Sequence, residues 1–371
     1  MIRKWRIEFE DASAYGSSLD FETGVCECHM VVRTCPGGSF EKQLDRIHSA
    51  FAEACSAHCS GLRPVFVRYF LSDVANQEGL LRKMCEGRYE CPVSVIEQPP
   101  LDGTKVSAWA ILQSDKRTEE QGYRHMWLAD SRFDGGDSES QTGALLEAYD
   151  ALLTESGCNM AENCLRTWFF VQDVDLNYAG VVKGRKDVFD RIGLTEDTHY
   201  IASTGIAGRN AGLTSLVTMD AYAVSGLEKG QVTYLKGASH LNPTHEYGVT
   251  FERGTAVNYG DRRHVFISGT ASIDNTGAIV SPGDISRQTL RMLENVEVLL
   301  DEAGCTYDDV MHMIVYLRDI ADYPEVKGIY DDRFPEHAKV FVWAPVCRPG
   351  WLREMECMAV KAVACNGYKN F

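Results

Sequence analysis

Three stretches of this 371-residue chain follow one pattern: VRYFLSDVANQEGL (67–80), WFFVQDVDLNYAGV (168–181) and VYLRDIADYPEV (315–326). Each begins as an apolar run rich in aromatic and β-branched residues. Each reaches an aspartate, Asp73, Asp173 or Asp319, followed by Val or Ile, and then changes to helix-like spacing. A pattern said three times restricts the fold more than any single motif, because each copy must build the same supersecondary unit.

The surroundings of the three stretches agree. In the last third, RHVFISGTASI (263–273) reads as a strand entering a loop, and TGAIVSPGD as turn, short strand, turn. Next comes a helix over 286–304, with Ser286 as N-cap, Leu290, Leu293, Val296, Leu299 and Leu300 on one face, and Gly304 just past the end. DVMHMIVYLRD, AKVFVWAPV and LREMECMAVKA read as strands and YPEVKGIYDDRF as a second helix. The middle third repeats this order. RHMWLAD is a strand, 138–157 a helix with a Ser138/Gln141 capping box, CLRTWFFVQD a strand and AGVVKGRKDVFDRIG a short helix. HYIASTGIAG and LVTMDAYAV are strands. The first third supplies VCECHMVVRT, the helix EKQLDRIHSAFAEACSAHCSG, PVFVRYFLSD, a helix at 76–88, CPVSVIEQ and KVSAWAILQ.

A repeat of roughly 110–120 residues is too long for a solenoid. The expectation is therefore an α+β fold of three tandem domains, 1–118, 119–232 and 233–371, the last the clearest. Each sheet carries its helices on one face. Its other face is apolar, as VFVWAPV and WFFV show, so three such sheets cover one another around a pseudo-threefold axis, helices outside. Sheet faces covered in this way imply a monomer or a weak homodimer.

Composition narrows the function. The formal charge is −16 and the pI about 5.1, which disfavours a phosphate backbone as partner. No apolar run approaches membrane-spanning length, and the opening MIRKWRIEFEDASAYG has no signal-peptide h-region. Thirteen cysteines without paired CxxC spacing suggest reduced thiols and a cytoplasmic protein. No metal site is expected. His240 and His245 share a Pro-containing loop but have no further ligands at recognisable spacing.

Across nearly all of 264–363, the run from FISGTASID through the 286–304 helix to YLRDIADYPEVKGIYDDRF resembles the RidA/YjgF family, which includes endoribonuclease L-PSP-like proteins. The resemblance implies chorismate mutase-like domains, here three fused into a pseudo-trimer. Six further segments resemble chorismatases in order: LRTWFFVQDVDLN (with Phe where their Arg-x-Trp-Asn segment has Asn), KGRKDVF, ASTGIAGR, NPTHEYG, FISGTASI and VCRPGWLREME. Chorismatases hydrolyse chorismate on a RidA-like pseudo-trimer. The implied activity is release of pyruvate from chorismate or a related enolpyruvyl carboxylate, with a small anionic substrate and no cofactor. The alternatives are a RidA-like enamine/imine deaminase and a non-catalytic binder of small carboxylates.

Protonating an enol-ether carbon needs a carboxylic acid that stays protonated near neutral pH. On LREMECMAV, period-two alternation puts Glu354 and Glu356 on one face, toward the interior, and Met355, Cys357 and Ala359 on the other. The resemblance marks Glu354 as the catalytic acid. Glu356 is placed in the site beside it; a structural pairing with an arginine is the competing reading. Arg348, Arg166 and Arg185 are candidate clamps for substrate carboxylates, with Arg209 the weakest, since the guanidinium fork matches a carboxylate. Ser203, Thr204 and Gly205 end a strand with small residues that let a ligand approach the backbone. SGT (268–270), with Ser268, offers the same choice, Tyr247 lies in NPTHEYG, and Cys347 stands seven residues before Glu354. RidA-type deaminases carry an Arg on the penultimate strand. Here that position is Lys339, a further candidate cation, and the change counts against simple deamination.

Overall fold

The computed structural model describes residues 2–21, 24–114 and 122–371. The chain folds into three separate β-sheets. The first is built from β1 (Ile2–Glu8), β2 (Ala12–Phe21), β3 (Gly24–Thr34), β4 (Leu62–Leu71), β5 (Val93–Glu97) and β6 (Val106–Ser114), in the order β1-β2-β3-β6-β4-β5. Helices α1 (Phe40–His58) and α2 (Val74–Cys85) cover one face. The second has β7 (Arg124–Arg132), β8 (Cys164–Val171), β9 (Ala202–Ala207) and β10 (Val217–Ser225), ordered β7-β10-β8-β9, with helices α3 (Ser138–Glu155), α4 (Met160–Asn163) and α5 (Val174–Ile192). The third contains β11 (Val232–Leu235), β12 (Gly254–Asn258), β13 (Arg262–Thr270), β14 (Val310–Leu317), β15 (Lys339–Trp343) and β16 (Arg353–Ala362). Its order, β11-β12-β13-β16-β14-β15, repeats that of the first, and its helices are α6 (Ile285–Glu302) and α7 (Tyr323–Arg333). Among the described residues the middle sheet lacks the two outer strands of its neighbours. No described helix is long and apolar enough to cross a membrane.

The thrice-repeated segment is the strand next to one edge of each sheet and the helix after it. β4, β8 and β14 each pair in parallel with the penultimate strand and antiparallel with the last. The recurring aspartate has a structural task in each copy. Asp73 accepts the Asn76 amide at the start of α2, and Asp319 accepts the Ala321 amide. Asp173 instead takes a left-handed turn, with φ 45°, before α5.

Apolar residues of all three sheets meet inside: Phe66 and Trp109, Trp168 and Tyr222, Phe266 and Met358 belong to one buried cluster. Several buried charged groups pair across the seams, which offsets the cost of burying a charge. Arg68 meets Asp220 between the first and second sheets (2.7 Å), and Arg166 meets Glu356 between the second and third (2.7 Å). Between the third and first, Glu27 accepts from Arg262 and pairs with His29 and His264, and His29 Nδ1 lies 2.8 Å from His312 Nδ1.

Four local readings change. The cap of α6 is Asp284, which accepts the Arg287 amide, rather than Ser286. The box at α3 is Asp137 with Ser140, because Gln141 spends its side chain on the 135 and 214 carbonyls and the 216 amide. α5 is nineteen residues, not short. The hairpin β1–β2 lies in a stretch that gave no strand signal, being polar and mixed along IRKWRIE.

Candidate active site

β9 of the second sheet runs beside β13 of the third. They are stitched where the Ser203 amide donates to Ser268 Oγ (2.9 Å) and the Ser268 hydroxyl donates to the Glu252 carbonyl (2.6 Å). Above this seam is a narrow cavity of about 20 Å³, room for about one water molecule as it stands. Its walls come from five segments: β9 with Ser203, Thr204 and Gly205; α5 with Tyr178 and Arg185; the loop into β12 with Tyr247, Phe251 and Arg253; the loop before β16 with Cys347, Arg348 and Trp351; and Glu354 of β16 above Gly269.

Small residues make the close approaches. A Cβ on Gly205 would stand 2.7 Å from the Tyr178 ring, and one on Gly269 would stand 2.7 Å from Glu354 Oε2. Both glycines are therefore shaped by what lies on them.

The electrostatics are unequal. Arg185 is fully buried, and its Nε donates to Thr250 Oγ1 (3.0 Å) while Nη2 has no partner. Arg253 Nη2 donates to the carbonyl and the side chain of Asn242 (2.9 and 3.2 Å), leaving Nε unpartnered. Arg348 donates to the Tyr247 carbonyl (3.2 Å) and lies over the Tyr247 and Trp351 rings. None of the three has an ion-pair partner among the described residues. The Tyr247 hydroxyl is likewise buried without one. Glu354 is 4% exposed and has no hydrogen-bond partner among the described residues. Burial, then the nearby Glu356 charge, push its carboxyl up to about 8, with Arg253 pulling the other way. Burial also holds the Tyr178 phenol and the Cys347 thiol protonated and pushes Tyr247 up to about 12. Cys347 has no base aligned to activate it. The pocket thus holds one acid raised toward its neutral form and three guanidiniums without a carboxylate partner among the described residues.

Of the residues singled out in the sequence, Glu354, Arg348, Arg185, Ser203, Thr204, Gly205, Cys347 and Tyr247 line this one cavity. Four do not. Arg166 lies behind β9, where its Nη2 donates to Glu356 and Thr204 and its guanidinium covers Trp168. Glu356 is spent on that pair and on the Trp168 Nε1 proton (2.7 Å), beside a smaller internal cavity with Trp109 and His312. Ser268 is consumed in the strand seam. Lys339 sits at the seam of the third and first sheets, its ammonium on the Phe334 carbonyl (2.6 Å) and near Asp331, with burial pushing it down to about 8. Arg209 is taken by Glu97 (2.7 and 3.1 Å). His240 and His245 do not converge, and no ligand cluster for a metal exists among the described residues.

Sequence reading missed Tyr178, Arg253, Phe251 and Trp351. Tyr178 had a signal: it stands seven residues, two helical turns, before Arg185 and so shares its face. Arg253 had none, since a lone Arg before a strand glycine is ordinary.

Repeated α+β units with a narrow pocket at one seam, lined by one buried acid, define the class. The Endoribonuclease L-PSP family pattern matches residues 254–361. A RutC family protein of Pyrococcus abyssi is 39% identical over 100 residues, covering 26% of this chain and 78% of the relative. The 3-aminoacrylate deaminase RutC of Acinetobacter baylyi is 34% identical over 97 residues, 26% of this chain and 77% of that one. The chain belongs to this RutC/endoribonuclease L-PSP family through its third unit. Over its larger extent the fold is that of a chorismatase crystal structure: TM-score 0.62 at 20% identity, covering 80% of this chain and 93% of that one.

Proposed function

We propose that this protein is a chorismatase-like hydrolase that releases pyruvate from chorismate or a related enolpyruvyl dicarboxylate. The observation that carries the reading is the pairing of one acid held protonated, Glu354, with three arginines that have no carboxylate of their own, Arg185, Arg253 and Arg348. A substrate with two carboxylates supplies what those arginines lack.

Glu354 delivers its proton to the terminal methylene carbon of the enol ether, and an oxocarbenium ion forms. Water adds to that cation, and its released proton returns to the Glu354 carboxylate. The resulting hemiketal collapses to pyruvate and the ring alcohol. Apolar walls at Phe251 and Trp351 keep the acid in its neutral form until substrate arrives. Tyr178 and Tyr247 provide hydroxyl donors for the ring substituents.

A deaminase reading has support in the RutC relatives. It accounts less well for three guanidiniums, because an aminoacrylate carries a single carboxylate. The test is incubation of purified protein with chorismate, with pyruvate measured by a coupled dehydrogenase and the ring product by mass spectrometry. Pyruvate release is expected. Ammonia from a 2-aminoacrylate source without pyruvate from chorismate would select the deaminase. Thermal stabilisation by chorismate without turnover would select a binding protein.

A further inference from the structure

Glu354 and Glu356 stand two residues apart on the same face of β16, with opposite surroundings. Glu354 has no hydrogen-bond partner among the described residues. Glu356 is surrounded by donors: Arg166 Nη2 and Trp168 Nε1, each at 2.7 Å, and the Thr204 hydroxyl, with Arg68 Nη1 at 3.9 Å. The Thr204 oxygen in turn accepts from Arg166 and from the Gly269 amide (2.9 Å). Gly269 is the surface on which Glu354 Oε2 rests, and the Thr204 methyl carbon packs against the same point. Three strands, β9, β13 and β16, are therefore tied at one hydroxyl.

We propose that Glu356 and Thr204 are positioning residues for Glu354: Glu356 orients the Thr204 hydroxyl, Thr204 pins the Gly269 amide, and Gly269 fixes where the acid is presented to the substrate carbon. This rests on the reading of Glu354 as the proton donor. It assigns Glu356 no contact with substrate. The ion pair with Arg166 keeps that carboxylate occupied while its charge bears on the neighbouring acid, in the same direction as the raised pKa of Glu354.

The test uses the full chain with Thr204→Val, Thr204→Ser and Glu356→Gln. Thr204→Val keeps the shape and the Arg166–Glu356 pair but removes the hydroxyl. It is expected to lower kcat about tenfold with KM changed less than about twofold, because displacing a reacting group acts on the transition state. Thr204→Ser is expected to restore kcat. In substrate-free protein carrying 13C-labelled glutamate, Glu356→Gln is expected to lower the Glu354 titration midpoint by about one pH unit through loss of a like charge. The alkaline limb of the rate profile should move with it. A purely structural Glu356 would change thermal stability and leave the midpoint and the kcat/KM split unmoved, and that result overturns the proposal. If Glu356→Gln fails to fold with Arg166 unpaired, Thr204→Val alone decides: wild-type turnover in that variant overturns the relay. A Glu354 that titrates as an ordinary carboxyl in the unsubstituted protein defeats the acid reading itself. That outcome is visible before any substitution, so the two failures are distinct.

Discussion

Glu354 is a buried carboxyl whose ionised form costs the fold stability. Its ordinary pKa is 4.5 and burial raises it to about 8 in the folded chain. An acid raised in this way favours the fold fully below pH 4.5, and that contribution is lost as pH rises through about 8. At pH 9 the folded protein therefore holds a buried carboxylate that the unfolded chain would solvate. Glu354→Gln keeps the shape and removes the titration. It should unfold at higher denaturant than the wild type, with the difference growing from pH 5 to pH 9 by about 3–5 kcal/mol. Pyruvate release should fall by about 10²–10⁴-fold, the usual share of general acid catalysis. Parallel stability curves for the two proteins would mean that the carboxyl is solvated after all.

Helix α5 delivers Tyr178 and Arg185 to the pocket, and its seat is set by two glycines one turn apart. A Cβ on Gly180 would stand 2.2 Å from Ser138 Oγ, and one on Gly184 would stand 2.4 Å from the Glu139 carbonyl oxygen. The second contact is with backbone of α3, which cannot rotate away. Gly184→Ala should therefore force the helices apart and destabilise the fold by about 1–3 kcal/mol, the ordinary result of overpacking. Because Arg185 follows directly, substrate KM should rise with it. A variant with unchanged melting temperature and KM would show that α5 has slack the present packing does not suggest.

Of the three seams, the one between the second and third units carries the proposed site. In register with Glu354, opposite the third residue before the repeat aspartate, the first unit has Ser107 and the second Thr218. In register with Glu356 stand Trp109 and Asp220. In the seam of the first two units, the place equivalent to the pocket is occupied by paired charges, with Arg82 on Glu78 and Asp130 and Arg132 near both. The seam of the third and first holds the Glu27–histidine cluster. One equivalent of substrate or of a stable dicarboxylate analogue should bind per chain, as read by titration calorimetry. Arg253→Ala should weaken that binding about tenfold or more, since it removes a charge-assisted pair. Two or three equivalents would show that a second seam opens in solution.

The architecture was open to reading because its signals are local. Period-two alternation, 3.6-residue periodicity and an aspartate at the end of a strand act within a few residues, and three copies of them determine three sheets with helices on one face. The same alternation turned Glu354 and Glu356 inward together. Alternation says which side of a strand a residue faces, however, and not what faces it from another sheet. That is why Arg166 and Glu356, read as site residues, pair with each other behind β9. It is also why Lys339 lies in a different seam, and why Arg253 and Tyr178, with no pattern of their own, enter the pocket. Residues about a hundred positions apart share a cavity only once three sheets have packed, and that packing is set by buried area and by paired charges across the seams, which no stretch of the chain carries alone.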